Sequence, residues 1–128
     1  MSIHQEVIIN ATPDAVYAVL TSSAEFAKMT GGRVTEISRE VGGAASMFDG
    51  HISARHVDLA PGKRVVQAWR AKTWPEGVYS VVTFALSPQG KGTKLVFDQA
   101  GHPADAQTDL EAGWIKMYWD PMNAMFAG

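Results

Sequence analysis

Hydrophobic positions follow three successive rhythms along this chain. The stretch IHQEVII, residues 3–9, is rich in β-branched residues and alternates weakly, which predicts a first strand. The spacing then turns helical. In NATPDAVYAVL, Thr12 is placed to cap, Pro13 sits where a missing N–H costs nothing, and Asp14 suits the positive end of the helix dipole. Ala15, Val16, Val19 and Leu20 form the apolar face of this helix. SSAE then offers a capping box of Ser22 with Glu25, opening a second short helix through Phe26 and Met29 that Gly31-Gly32 stops.

From residue 33 to about residue 99 the rhythm shortens. RVTEIS, AASMF, HISARHVDL, RVVQAW, VYSVVTFAL and TKLVFDQ are β-like runs, divided by the turn signals VGG, DG, APGK, WPEG and PQGKG. They predict a six-strand meander. Val82, Phe84 and Leu86 share one face and Val81, Thr83 and Ala85 the other, while Leu95 and Phe97 oppose Lys94, Val96 and Asp98. One face is therefore core and the other partly wet.

The third rhythm is LEAGWIKMYWDPMNAMF, residues 110–126, where three methionines and a proline stand among bulky aromatics. A helix is predicted to begin between Ala104 and Thr108, with a second capping box of Thr108 and Glu111. Asp109, Gly113, Lys116, Asp120 and Asn123 make a polar and small stripe; Trp114, Met117, Tyr118, Met122 and Met125 cover the opposite face, flanked by Ile115, Trp119 and Phe126. Pro121 interrupts the pattern. An internal proline costs about 3 kcal/mol or more unless the chain caps and restarts, so WDPM predicts a kink or restart with Asp120 as cap.

Composition narrows the function classes. With 128 residues the chain fits one domain able to stabilise a single core. Eleven basic residues stand against thirteen acidic ones, with no basic run longer than Lys63-Arg64, which argues against nucleic acid as a partner. The absence of cysteine removes disulfides, thiolate nucleophiles and thiolate metal sites. The start lacks the features of a signal peptide and no stretch reaches the length of a membrane span, so a cytoplasmic location is expected.

One strand, two short helices, six antiparallel strands and a long terminal helix make an α+β fold whose sheet covers its apolar face with that helix. This is the helix-grip architecture: a curved antiparallel sheet of about seven strands wrapped around the C-terminal helix, read as a single domain over residues 1–128. INATPDAVYAVL at 9–20, Gly42-Gly43, Asp49-Gly50, APGKRVVQAW at 60–69, YSVVTFAL at 79–86, GTKL at 92–95 and Gly113-Trp114 stand in order along the chain. Together they resemble the START-like, or SRPBCC, superfamily and within it the activator of heat-shock protein 90 ATPase homologue family. The resemblance implies a cavity between sheet and helix. It also allows chaperone binding, although the chain matches only one such domain of a full activator, so stimulation of the chaperone by this chain alone is not expected.

Within that cavity the expected lining is Met29, Phe48, Trp69, Phe84, Trp114, Met117 and Tyr118. Methionine re-packs cheaply, so the set Met29, Met47, Met117, Met122 and Met125 suits either variable apolar guests or a plugged core. If Val57 and Leu59 point inward, so do His51 and Arg55, which then offer a polar anchor; a bulge near Arg55 turns them to solvent instead. The ligand reading takes a small apolar or amphipathic molecule of about twenty heavy atoms, at roughly 0.3 kcal/mol per atom. No cofactor is called for, and no nucleophile elbow, phosphate loop or zinc-binding motif is present. His51 and His56 lie five apart, which argues against one metal ion between them, and His102 before Pro103 is read as exposed. Catalysis ranks below binding. A cyclase- or hydrolase-like alternative would rest on His51, Tyr79 and Glu76 as acid–base groups.

Overall fold

The computed structural model describes residues 2–127. Strand β1 (Ser2–Ile9) leads into helices α1 (Pro13–Thr21) and α2 (Ser23–Met29). Six strands follow: β2 (Glu36–Ile37), β3 (Ala44–Met47), β4 (Ile52–Ala60), β5 (Arg64–Ala71), β6 (Ser80–Gln89) and β7 (Gly92–Ala100). They form one antiparallel sheet in the order β1-β7-β6-β5-β4-β3-β2, as consecutive hairpins with β1 added beside β7. The predicted helix-grip architecture is the one observed. A short 3₁₀ turn (Ala104–Ala106) opens the closing helix, which runs through α3 (Gln107–Trp114), a π turn (Ile115–Trp119) and α4 (Asp120–Met125).

Local chemistry accounts for the helix starts. Thr12 Oγ1 accepts from Ala15 N–H at 3.3 Å with Pro13 in the first turn, and Ser22 Oγ accepts from Glu25 N–H at 3.3 Å. Only half of the Ser22–Glu25 box forms, because Ser22 N–H is already bonded to Ala18 O and the Glu25 carboxylate pairs with Lys28. The box expected at Thr108 and Glu111 is absent: Ala106 precedes α3 with no side-chain cap, and the 3₁₀ turn places Thr108 inside the helix.

Pro121 is accommodated without the predicted Asp120 cap. Asp120 has helical dihedrals, φ −65° and ψ −48°, and its N–H bonds the carbonyl of Ile115, five residues back. The wider π turn eases the clash between the proline ring and the carbonyl one turn earlier. It also rotates the helix faces. Trp114, Tyr118 and Trp119 are all buried together, while Ile115 is left 47% exposed. Since Asp120 caps nothing, Asp120→Ala is expected to change stability by less than about 0.5 kcal/mol, whereas Ser22→Ala should cost about 1 kcal/mol. Urea unfolding of the two variants checks the contrast.

Both sheet edges are blunted. β2 is only two residues long, and the free edge of β1 is covered by the closing helix: Gln107 Nε2 donates to Ser2 O at 3.1 Å and Asn123 Nδ2 to Ile8 O at 3.0 Å. Asn123 Oδ1 accepts from Asn10 N–H at 3.0 Å. Gln107 and Asn123, near the two ends of the closing helix, thus dock it on the first strand.

Candidate functional site

The inward residues of β5 are Val65, Gln67, Trp69 and Ala71, and Trp69 is set between two small partners, Ala54 of β4 and Ser80 of β6. On the facing helix Gly113 has no side chain, and a Cβ placed there would meet nothing within 4 Å. The result is a half-open cleft of about 160 Å³. Phe48, Ile52 and Trp69 from the sheet side and Leu110, Trp114, Met117 and Tyr118 from the helix make its apolar lining, with Arg33, His51 and Asp109 as its polar members.

A clasp holds its mouth. Phe48 and Asp49, in the turn joining β3 to β4, both adopt left-handed dihedrals, φ 55° and 59°. Asp49 accepts from Val34 N–H at 2.8 Å and from Arg33 Nε at 3.0 Å, and these two bonds, the backbone one first, hold its carboxyl below the usual range. The Arg33 guanidinium lies 5.3 Å from the centre of the Phe48 ring.

Below the cleft the space is filled. Trp114 packs its ring 4.2 Å from Phe97 and 4.4 Å from Tyr118, centre to centre. Its Nε1 donates to Gln99 Oε1 at 2.8 Å, Gln99 Nε2 donates to Ser80 Oγ at 3.0 Å, and Ser80 Oγ donates to Trp69 O at 2.9 Å. This buried chain ties helix to sheet with its polar atoms paired. Burial raises the Tyr118 phenol above its ordinary value, so it is a neutral hydroxyl at physiological pH.

Of the residues expected at the cavity, Phe48, His51, Trp69, Trp114, Met117 and Tyr118 border the cleft. Phe84 lies deeper, stacked 6.3 Å from Tyr118, and Met29 is buried in α2 away from the opening. Met47 and Met122 are likewise sealed in the core, leaving Met117 as the methionine that faces the space. Arg55 departs from the expectation of an inward anchor. A bulge between His56 and Asp58 leaves Val57 55% exposed and sets Arg55 on the outer face, where it bonds Gly42 O at 2.9 Å. His102 is buried rather than exposed, bonded to Gln107. The acid–base set does not converge: Glu76 is exposed in the turn between β5 and β6, and Tyr79 stacks beneath Arg70 at 5.6 Å. Arg33, Ile52, Asp109, Leu110 and Gly113 escaped sequence reasoning, since nothing in a loop arginine, a helical glycine or an ordinary strand or helix residue marks it as facing a cleft.

His56 is buried within the bulged strand. Its Nε2–H donates to Ser38 O at 2.8 Å while Nδ1 has no partner among the described residues, and burial lowers its pKa from the ordinary 6.5. Protonation would seal an unpaired N–H inside. The unfolded chain therefore binds the proton more readily, and stability, fully present above about pH 6.5, falls as pH drops through the lowered folded value. His4, raised by its bonds to Asp98 and Glu6, works in the opposite sense. In a His4→Gln background the urea midpoint should fall between pH 7 and pH 5, and adding His56→Gln should remove that fall.

Seven antiparallel strands around a C-terminal helix, with a cleft between them, define a helix-grip domain of the START-like class. A family model described as "Activator of Hsp90 ATPase homolog 1-like protein" matches residues 10–127, and the chain belongs to that family. The human "Activator of 90 kDa heat shock protein ATPase homolog 1" is 30% identical over 115 residues, 90% of this chain and 34% of that protein. The Dictyostelium discoideum homologue is 36% identical over 89 residues, 69% of this chain and 23% of the relative. The chain thus spans about a third or less of these curated relatives. Among solved structures, an HSP90 activator from Plasmodium falciparum superposes with a TM-score of 0.93 at 21% identity, covering 99% of this chain and 96% of that one.

Proposed function

We propose that the chain binds one small apolar or amphipathic molecule in the cleft between its closing helix and the sheet. The observation that carries this reading is an apolar opening of about 160 Å³ between the closing helix and the sheet. Its size sets the guest. An engineered apolar cavity of about 150 Å³ holds benzene, so the space fits one ring with a short substituent rather than the twenty heavy atoms expected from sequence. A polyketide or fatty chain would have to project into solvent. At about 0.5 kcal/mol per atom, a guest of about nine heavy atoms gains roughly 4.5 kcal/mol, a Kd near 0.5 mM. Calorimetric titration with single-ring compounds should show saturable binding in that range, and long-chain fatty acids should bind no more tightly. Absence of binding across a panel of ring compounds would overturn the reading.

A second reading, contact with a chaperone of the 90 kDa heat-shock class, is favoured by the match of the human activator across 90% of this chain. The P. falciparum structure described as an activator is matched over 96% of its own length, so size alone no longer argues against it. The ATPase rate of such a chaperone, measured with the purified chain alone, separates the two. The first reading expects no change; a rise that scales with chain concentration would establish the second.

A further inference from the structure

The cover on the free edge of β1 is made at its two ends, and the edge is open between them. In an antiparallel pair the N–H and C=O of one residue point the same way, and successive residues alternate between the partner strand and the outside. Gln107 Nε2 bonds Ser2 O and Asn123 Nδ2 bonds Ile8 O, so the even-numbered residues of β1 face outward. The parity of β7 agrees: the two-residue turn Gly90-Lys91 pairs Gln89 with Gly92, which turns Thr93, Leu95 and Phe97 toward Ile9, Val7 and Gln5. His4 and Glu6 therefore present their backbone N–H groups and carbonyls to the outside, and none of these groups has a partner among the described residues.

A groove of about 320 Å³ runs beside this window, lined by Gln5, Glu6, Val7, Ile115, Trp119 and Asp120. Its middle is apolar: Val7 is half-buried, and Ile115, which the π turn leaves out of the core, is 47% exposed. Its ends are acidic. Asp120 stands at one, and Glu111, one turn before Ile115, at the other, where its carbonyl accepts from Gln5 Nε2 at 3.0 Å. Both carboxylates are on exposed residues without an ion pair among the described residues, whereas Glu6 already serves His4 and Lys94. A second copy added edge to edge by a two-fold would set acidic end against acidic end, so charge favours a basic occupant.

We infer that this window receives an extended segment of a partner protein, added antiparallel to β1 as a further strand of the sheet, with one apolar side chain on Ile115 and a basic side chain two residues to either side. Segment residues opposite His4 and Glu6 turn their N–H and C=O to β1 and their side chains to the outer face. The residue between them, opposite Gln5, points its side chain onto Val7 and Ile115. Basic residues opposite Ile3 and Val7 then reach Glu111 and Asp120. Gln107 and Asn123 confine the segment to the span from Ile3 to Val7. The cleft lies on another face of the helix, among Leu110, Gly113, Trp114 and Met117, so this site does not depend on it.

The test titrates the peptide acetyl-Lys-Thr-Leu-Thr-Lys-amide into the nitrogen-15-labelled chain and follows the backbone amides. Saturable shifts centred on His4 and Glu6 are expected. N-methylation of both threonines removes the N–H groups that face β1 and should weaken binding about tenfold or more, whereas N-methylation of the leucine, whose N–H faces away, should leave it nearly unchanged. Replacing both lysines of the peptide by glutamate, or Ile115→Lys in the chain at its exposed position, should each weaken binding about tenfold. Still amides at His4 and Glu6 at millimolar peptide would overturn the inference, and so would equal loss from the two methylation patterns. Equal binding of the glutamate peptide would overturn the basic assignment. Shifts of the same amides on concentrating the chain alone would overturn it in favour of a second copy.

Discussion

Replacing Trp114 with alanine is expected to cost about 4–8 kcal/mol of folding stability, as much as the whole margin of a weakly stable domain. The residue is 2% exposed and contacts the aromatic rings of Phe97, Tyr118, Trp69, Phe84 and Trp119. Truncating a buried tryptophan costs about 3–5 kcal/mol in lost transfer energy and cavity formation. A second penalty, about 1–3 kcal/mol, comes from Gln99, whose Oε1 loses its 2.8 Å donor inside the protein. Trp114→Phe keeps much of the ring contact and should show mainly that second penalty. Urea unfolding of both variants measures the difference, and a loss below about 2 kcal/mol for Trp114→Ala would mean the helix is not anchored there. Because the ring supports the core as well as bordering the cleft, this position is a poor probe of binding.

Gly113 is the better one. It sits mid-helix between Asp109 and Met117, one turn from each, and borders the cleft with nothing within 4 Å of its absent Cβ. Glycine in a helix interior is about 1 kcal/mol less favourable than alanine, so Gly113→Ala should stabilise by up to that amount. Gly113→Phe places a ring where the guest is proposed to lie. It should fold with near wild-type stability, since the helix gains propensity and the ring covers apolar surface, and it should weaken binding of single-ring guests at least tenfold. Undiminished binding by a folded Gly113→Phe would place the guest elsewhere.

How far such positions were legible differs by element. The faces of β6 and β7 were readable because Val82, Phe84, Leu86, Leu95 and Phe97 alternate with residues that tolerate water, and all five are buried. The caps at Thr12 and Ser22 were readable because capping is a local bond. The bulge at Val57 was not, since two registers of HISARHVDL each place acceptable residues inward and only pairing with β5 chooses between them. Asp120-Pro121 mimicked a cap because its local chemistry suits one. Packing of Trp114, Tyr118 and Trp119 on a single face accompanies a π turn in its place. Half of the cleft was visible as bulky side chains, but its volume was not. Of the lining, Gly113 contributes by what it lacks, and a helical glycine signals nothing until packing sets it opposite Trp69.

Methionine methyl groups give the most direct test of the cleft as a guest site, because they sample both the opening and the core. Met117 borders the cleft, while Met29, Met47 and Met122 are buried away from it. With the methyl carbons labelled with carbon-13, acetophenone is titrated into the intact chain and the methionine methyl resonances are followed. A saturable shift of the Met117 methyl, with those of Met47 and Met122 nearly still, is the predicted result. A stationary Met117 at millimolar acetophenone, or shifts spread evenly over the core methionines, would contradict it.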